Sequence, residues 1–117
     1  MKNFKELINW QKGFGISIKS FKLISTFPLN EKYGLAGQIT KAAVSIPSNI
    51  AEGSSRTSEK DQNRFIEMSL GSAFEMETQL LIVKAVKYGN LELINHILSD
   101  LDEEQKMLIS FKSKLRF

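Results

Sequence analysis

The chain has 117 residues, 42% of them hydrophobic and 25% charged, with a net charge of +3 and no cysteine. These figures fit one globular domain with a real core, and they exclude disulfides and thiolate metal sites. No apolar run nears the roughly 20 residues that span a bilayer, and MKNFKELINWQKGF lacks the features of a signal peptide, so a cytoplasmic protein is expected.

Nothing reads as a strand, because there is no Asn-Gly or Asp-Gly turn and no sustained apolar–polar alternation. Four helices are marked instead by their start and stop residues. The first is predicted from about Phe4 to Thr26, with Asn3 as cap and Glu6 completing a capping box. Leu7, Trp10, Phe14, Ser17, Phe21 and Ile24 keep the spacing of a bundle seam, which puts Lys5, Lys12 and Lys19 on the outward face. Gly13 and Gly15 weaken this helix by about 1 kcal/mol each, and Phe27-Pro28 ends it.

The second helix is predicted between Asn30 and Ala51, regular from Leu35, with Leu35, Ile39, Ala42, Ile46 and Ile50 as its apolar line and Gly53 as terminator. Pro47 lies inside it at a cost of roughly 3 kcal/mol, so packing or a functional bend must offset the loss. A kink at Pro47 is expected, with Ser45, Ser48 and Asn49 at hand for the freed backbone groups.

The third helix is predicted from Glu59 to Tyr88, on the order of 45 Å long, capped by Thr57 or Ser58 and stopped by Gly89. Its seam is Phe65, Ser69, Ser72, Met76, Gln79, Val83 and Val86. A second apolar line holds Ile66, Leu70, Ala73 and Leu80, with Phe74 and Leu81 beside it. Two apolar sides mean either a central place in the bundle or a subunit interface through Ile66, Leu70, Phe74 and Leu81. The fourth helix is predicted from Leu91 to Leu115 with Asn90 as cap and Ile94, Ile97, Leu101, Glu104, Leu108, Phe111 and Leu115 as seam. The fold expected is all-α: an antiparallel up-down-up-down four-helix bundle in a single domain, 1–117.

Chemistry is sparse. His96, the one histidine, stands four residues from both Glu92 and Asp100, which is ordinary helix-surface spacing. No His-Glu-x-x-His pair, di-iron motif, phosphate loop or nucleophile elbow is present, so no enzyme, cofactor or metal is expected. Ser17, Ser72, Gln79 and Glu104 interrupt the seams, and they fit a buried polar layer, a small-ligand pocket, or close packing with Glu104 at the rim.

Charge is uneven: residues 1–56 hold eight Lys or Arg against three acids, and residues 57–117 hold eight against ten. Arg56, Lys60 and Arg64 form a basic stripe at the start of the third helix, diluted by Glu59 and Asp61. With Lys12, Lys19, Lys22 and Lys41 they are the candidate nucleic-acid-binding residues, set to track a phosphate backbone.

The stretch KYGLAGQITKAAVSIPSNIAEGSSR resembles the signature of four-helix-bundle proteins encoded within bacterial 23S rRNA intervening sequences. The resemblance rests on Tyr33-Gly34-Leu35, Gln38-Ile39, Ala42 to Gly53 and Arg56, with Trp10, Lys12, Phe27-Pro28, Phe65 and the segment Gly71 to Leu80 extending it. It implies a homo-oligomer, with a pentameric ring among relatives, and kinship with the nucleic-acid-associated accessory proteins of diversity-generating retroelements. Ala36-Gly37 departs from the pattern by losing a helix cap, and Lys41 replaces a frequent arginine, losing bidentate phosphate geometry. The leading expectation is an oligomeric scaffold associating with RNA or DNA. The rival is a protein–protein assembly module.

Overall fold

The chain's caps and breaks set the elements. In the computed structural model, which describes residues 3–31 and 34–117, α1 spans Ile8–Ile24, α2 Leu35–Ser54, α3 Glu59–Ala85 and α4 Leu91–Ser113, with no strand among the described residues. Tyr33 of the signature lies outside the described residues. Each helix packs on the next and α4 returns to α1, in a body of 46 × 21 × 20 Å. Contacts between neighbours run in opposite numerical order, as in Ser69 with Ile46 and Ser72 with Ser45, or Lys12 with Glu103 and Lys19 with Asp100.

Helix α1 starts later than the sequence suggests. Asn3 caps a 3-10 turn at Phe4–Glu6, accepting from the Lys5 amide, and Leu7 is extended before α1 begins. Helix α2 follows Gly34 at its N-cap, with no side-chain cap, in keeping with Ala36-Gly37, and runs past Gly53 to Ser54. Gly53 is therefore no terminator: a β-carbon there would sit 3.0 Å from that of Phe65, so glycine lets α3 approach. Ser58 and Asn90 cap α3 and α4, accepting from the Asp61 and Leu93 amides.

The α1 seam is also displaced. Its buried residues are Asn9, Gly13, Ile16, Ser17, Ser20 and Leu23, while Phe14 and Phe21 are about half exposed. Small residues face the core because α2 and α4 come too close for aromatic rings. A β-carbon on Gly13 would lie 2.9 Å from a Glu104 carboxyl oxygen, 3.1 Å from the Ile46 side chain and 3.3 Å from the Pro47 nitrogen. The predicted lines of α2 and α4 hold, from Ile39 to Ile50 and from Ile94 to Leu108. On α3, Phe65, Ser69, Met76, Gln79 and Val83 are buried as predicted, whereas Val86 lies exposed beyond the last turn.

Helix α2 continues through Pro47. Proline denies the Ala43 carbonyl its usual amide partner. The buried Ser17 hydroxyl takes that place, lying 2.9 Å from the Ala43 oxygen and 3.0 Å from that of Gly13. One turn on, the Ser69 hydroxyl donates to the Ile46 carbonyl at 2.9 Å, and Ser72 meets the Ser45 hydroxyl at 2.9 Å. Serines from both flanking helices thus hold the α2 backbone around the proline. Asn49 adds a bond to the Ser45 carbonyl, whereas Ser48 is exposed and takes no part.

Glu104 is fully buried, not at the rim, and neither carboxyl oxygen has a hydrogen-bond partner. Burial raises its pKa from 4.5 to about 8, with Lys12 pulling the other way. At neutral pH it is therefore a neutral acid in the core.

Two outcomes are expected. Ser17→Ala leaves the Ala43 oxygen unpaired and costs about 1–3 kcal/mol in urea unfolding. In a Pro47→Ala background the restored amide supplies the bond, so the cost falls by at least half; a double-mutant cycle with no coupling contradicts this account. For Glu104, the folded chain keeps a proton that the unfolded chain releases near pH 4.5. Stability then falls by about 1.4 kcal/mol per unit as pH rises between about 4.5 and about 8, and is flat in this group outside that window. Glu104→Gln removes this slope, so equal pH dependence of the two proteins in denaturant titrations contradicts a protonated Glu104.

Candidate nucleic-acid interface at one end of the bundle

The α2–α3 turn, the start of α1 and the end of α4 share one end of the bundle. The Arg56 amide bonds to the Gly53 carbonyl at 3.1 Å, and the Gln62 side chain donates to the Arg56 carbonyl at 2.9 Å. That fixes the backbone at Arg56. Its guanidinium lies 4.6 Å from the centre of the Phe65 ring, and that of Arg64 lies 5.1 Å from it. Each such contact is worth about 0.5–1 kcal/mol at an exposed site. Lys60 is exposed on the first turn of α3, and no ion pair among the described residues involves Arg56, Lys60 or Arg64.

The end of α4 adds charge that sequence reading missed. The Arg116 amide donates to Glu59 at 3.1 Å, which brings the segment of Lys114 and Arg116 beside the first turn of α3. Four helices, each packed on the next with α4 against α1, return the chain's end to this point, so the signal lay in the topology rather than in a motif. Glu59, one of the two acids diluting the stripe, is thereby engaged by this backbone.

The remaining predicted lysines do not join this cluster. Lys12 and Lys19 face α4 instead of pointing outward: Lys12 bonds Asp100 at 3.2 Å and Glu103 at 2.7 Å, and Lys19 bonds Asp100 at 2.6 Å. Burial raises the Asp100 pKa, but hydrogen bonds from Lys19 and Lys12 outweigh it and hold the carboxyl below its usual range. The Glu103 hydrogen bond, opposed by burial and helped by Asp100, raises that of Lys12. His96 lies 2.7 Å from Lys19 and 3.6 Å from Asp100, while Glu92 is exposed. Lys22 is exposed in the last turn of α1. Lys41 is exposed on α2, about 20 Å along that helix from Arg56.

The predicted interface residues of α3 divide. Ile66 and Leu70 pack into the bundle's own core, whereas Phe74 and Leu81 are half exposed and two turns apart. A second outward stripe, Phe14, Ile18 and Phe21 on α1, went unseen because its rings were placed in the core.

A cavity of about 480 Å³ opens at the basic end, lined by Leu7, Ile50, Ile66 and Phe111 and by the exposed Arg56 and Thr57 and the half-buried Gln62. Among the described residues, no group of three or more His, Asp and Glu side chains is placed to hold a metal ion, and no helix is long and apolar enough to cross a membrane.

The fold is shared with a solved structure. A crystal structure of a protein of unknown function from the S23 ribosomal protein family of Bacteroides thetaiotaomicron matches with a TM-score of 0.82 and 26% identity, covering 90% of this chain and 98% of that one. No curated protein matches the sequence. Residues 5–110 match the family model described as 23S rRNA-intervening sequence protein, a span that takes in all four helices but for the last residues of α4, and the chain belongs to that family.

Proposed function

We propose that this protein is a non-enzymatic, cytoplasmic, oligomeric bundle that associates with RNA or other nucleic acid through its basic end. The observation that carries this reading is the cluster of Arg56, Lys60 and Arg64, without carboxylate partners, beside Lys114 and Arg116. Phosphates bind such clusters by displacing counterions, which makes binding salt-dependent and tolerant of sequence. Arginine is suited to the task, since a guanidinium held over the Phe65 ring still offers several N–H donors to a phosphate.

Assembly supplies the rest. A monomer at +3 has little long-range field, but five copies in a ring carry +15 and repeat the same cluster around one face. Phe74 and Leu81 on α3 and the stripe of Phe14, Ile18 and Phe21 on α1 are the apolar surfaces that support oligomerisation. These same surfaces favour the second reading, a protein–protein assembly module in which the basic end is only solvated.

Binding to a structured RNA across a salt series separates the two. The nucleic-acid reading expects a log–log slope of roughly −2 to −3, as for about three phosphate contacts. Charge reversal at Arg56, Lys60 and Arg64 together is expected to flatten it. No binding at low salt, with assembly abolished by Phe74→Glu or Leu81→Glu in light scattering, makes the assembly module the better account.

A further inference from the structure

Resting on the RNA-association reading, we infer that the cavity at the basic end receives one unpaired nucleobase, so that the protein prefers looped or single-stranded RNA to duplex. The space, about 480 Å³, lies within the roughly 300–1,000 Å³ of small-ligand sites. It is too small for a docked helix and well suited to a flat ring. Leu7 and Phe111, both half-buried, give it apolar surface against which a base face can pack, while the lining Ile50 and Ile66 are buried in the core.

The mouth has the complementary chemistry. A base presents donors and acceptors along its edge, and single-strand readers meet those edges with side-chain polar groups. Thr57 and Gln62 stand there; the Gln62 amide nitrogen is engaged by the Arg56 carbonyl, and among the described residues neither its amide oxygen nor the Thr57 hydroxyl is hydrogen-bonded. The phosphates on either side of an extruded base are negative, and the cations to meet them are Arg56, which lines the cavity, and Lys60 and Arg64 on the first two turns of α3. A neutral apolar side chain of a partner protein makes no use of those cations. Duplex RNA has no base to give, because its rings stay stacked and paired.

The test compares a labelled RNA hairpin carrying an unpaired loop with a blunt duplex of the same length, by fluorescence anisotropy across a salt series. Wild type is expected to favour the loop by about tenfold, the worth of one stacked base. Thr57→Trp, which fills the mouth from an exposed position, removes that preference and leaves the salt slope intact. Phe111→Ala, checked for folding by circular dichroism, removes it as well. Equal affinity of wild type for the two RNAs, or a preference untouched by both variants, overturns the base site. So does an effect of Thr57→Trp confined to binding of dodecyl phosphate micelles, which assigns the cavity to an anionic amphiphile. Those results spare the proposed function, which stands on the slope and its loss on charge reversal; no salt-dependent binding to either RNA removes both.

Discussion

The amide hydrogen missing at Pro47 is the constraint around which the middle of the bundle is arranged. A buried carbonyl without a donor costs about 1–3 kcal/mol, so the Ala43 oxygen must find one. It finds Ser17, and for that hydroxyl to reach at 2.9 Å, α1 must turn a small-residue face to α2. Gly13, Ser17 and Ser20 form that face. Once they point inward, helical geometry sends Phe14, Ile18 and Phe21 outward. The apolar exterior of α1 is thus a consequence of a polar requirement in the core. Trp10 mediates at the edge, stacked on Phe14 at 5.2 Å and edge-on to Phe4 at 5.3 Å.

Electrostatics follow the same geometry. Asp100 and Glu104 stand one turn apart on α4 and meet opposite fates. Asp100 receives Lys12 and Lys19 and is held ionised. Glu104 is a turn further along, against Gly13, where burial outweighs the pull of Lys12 and the proton stays. Two of the basic residues on α1 are spent in closing that helix against α4. Part of the positive charge left without acid partners gathers at the α2–α3 turn around Arg56, while Lys22 and Lys41 stand apart from it.

Much of this was legible in the sequence, and the failures have physical causes. The lines of α2 and α4, the caps Ser58 and Asn90, and the four-helix count were plain because apolar period and cap chemistry agreed there. Helix α1 misled because large apolar residues outweigh small ones in any pattern of hydrophobicity, whereas close packing is decided by volume. Gly53 misled for a related reason: glycine suits both a helix end and a close approach, and only the position of Phe65 tells them apart. At the candidate site, Arg56, Lys60 and Arg64 could be read from their spacing. Arg116 is on the far side of the sequence, and only the return of α4 brings it there.

The contact between Gly13 and Glu104 ties two distant positions into one. With 2.9 Å between the place of a β-carbon and the carboxyl oxygen, not even a methyl group fits unless the acid gives way. The two sites are therefore coupled, since side-chain volume added at Gly13 displaces the Glu104 carboxyl. Alanine at the first needs the carboxyl of the second to swing aside, and it still meets Ile46 at 3.1 Å and the Pro47 nitrogen at 3.3 Å. A core carboxyl group, with Ile46 and Pro47 beside it, thereby limits the volume that the opposite helix can carry at this point.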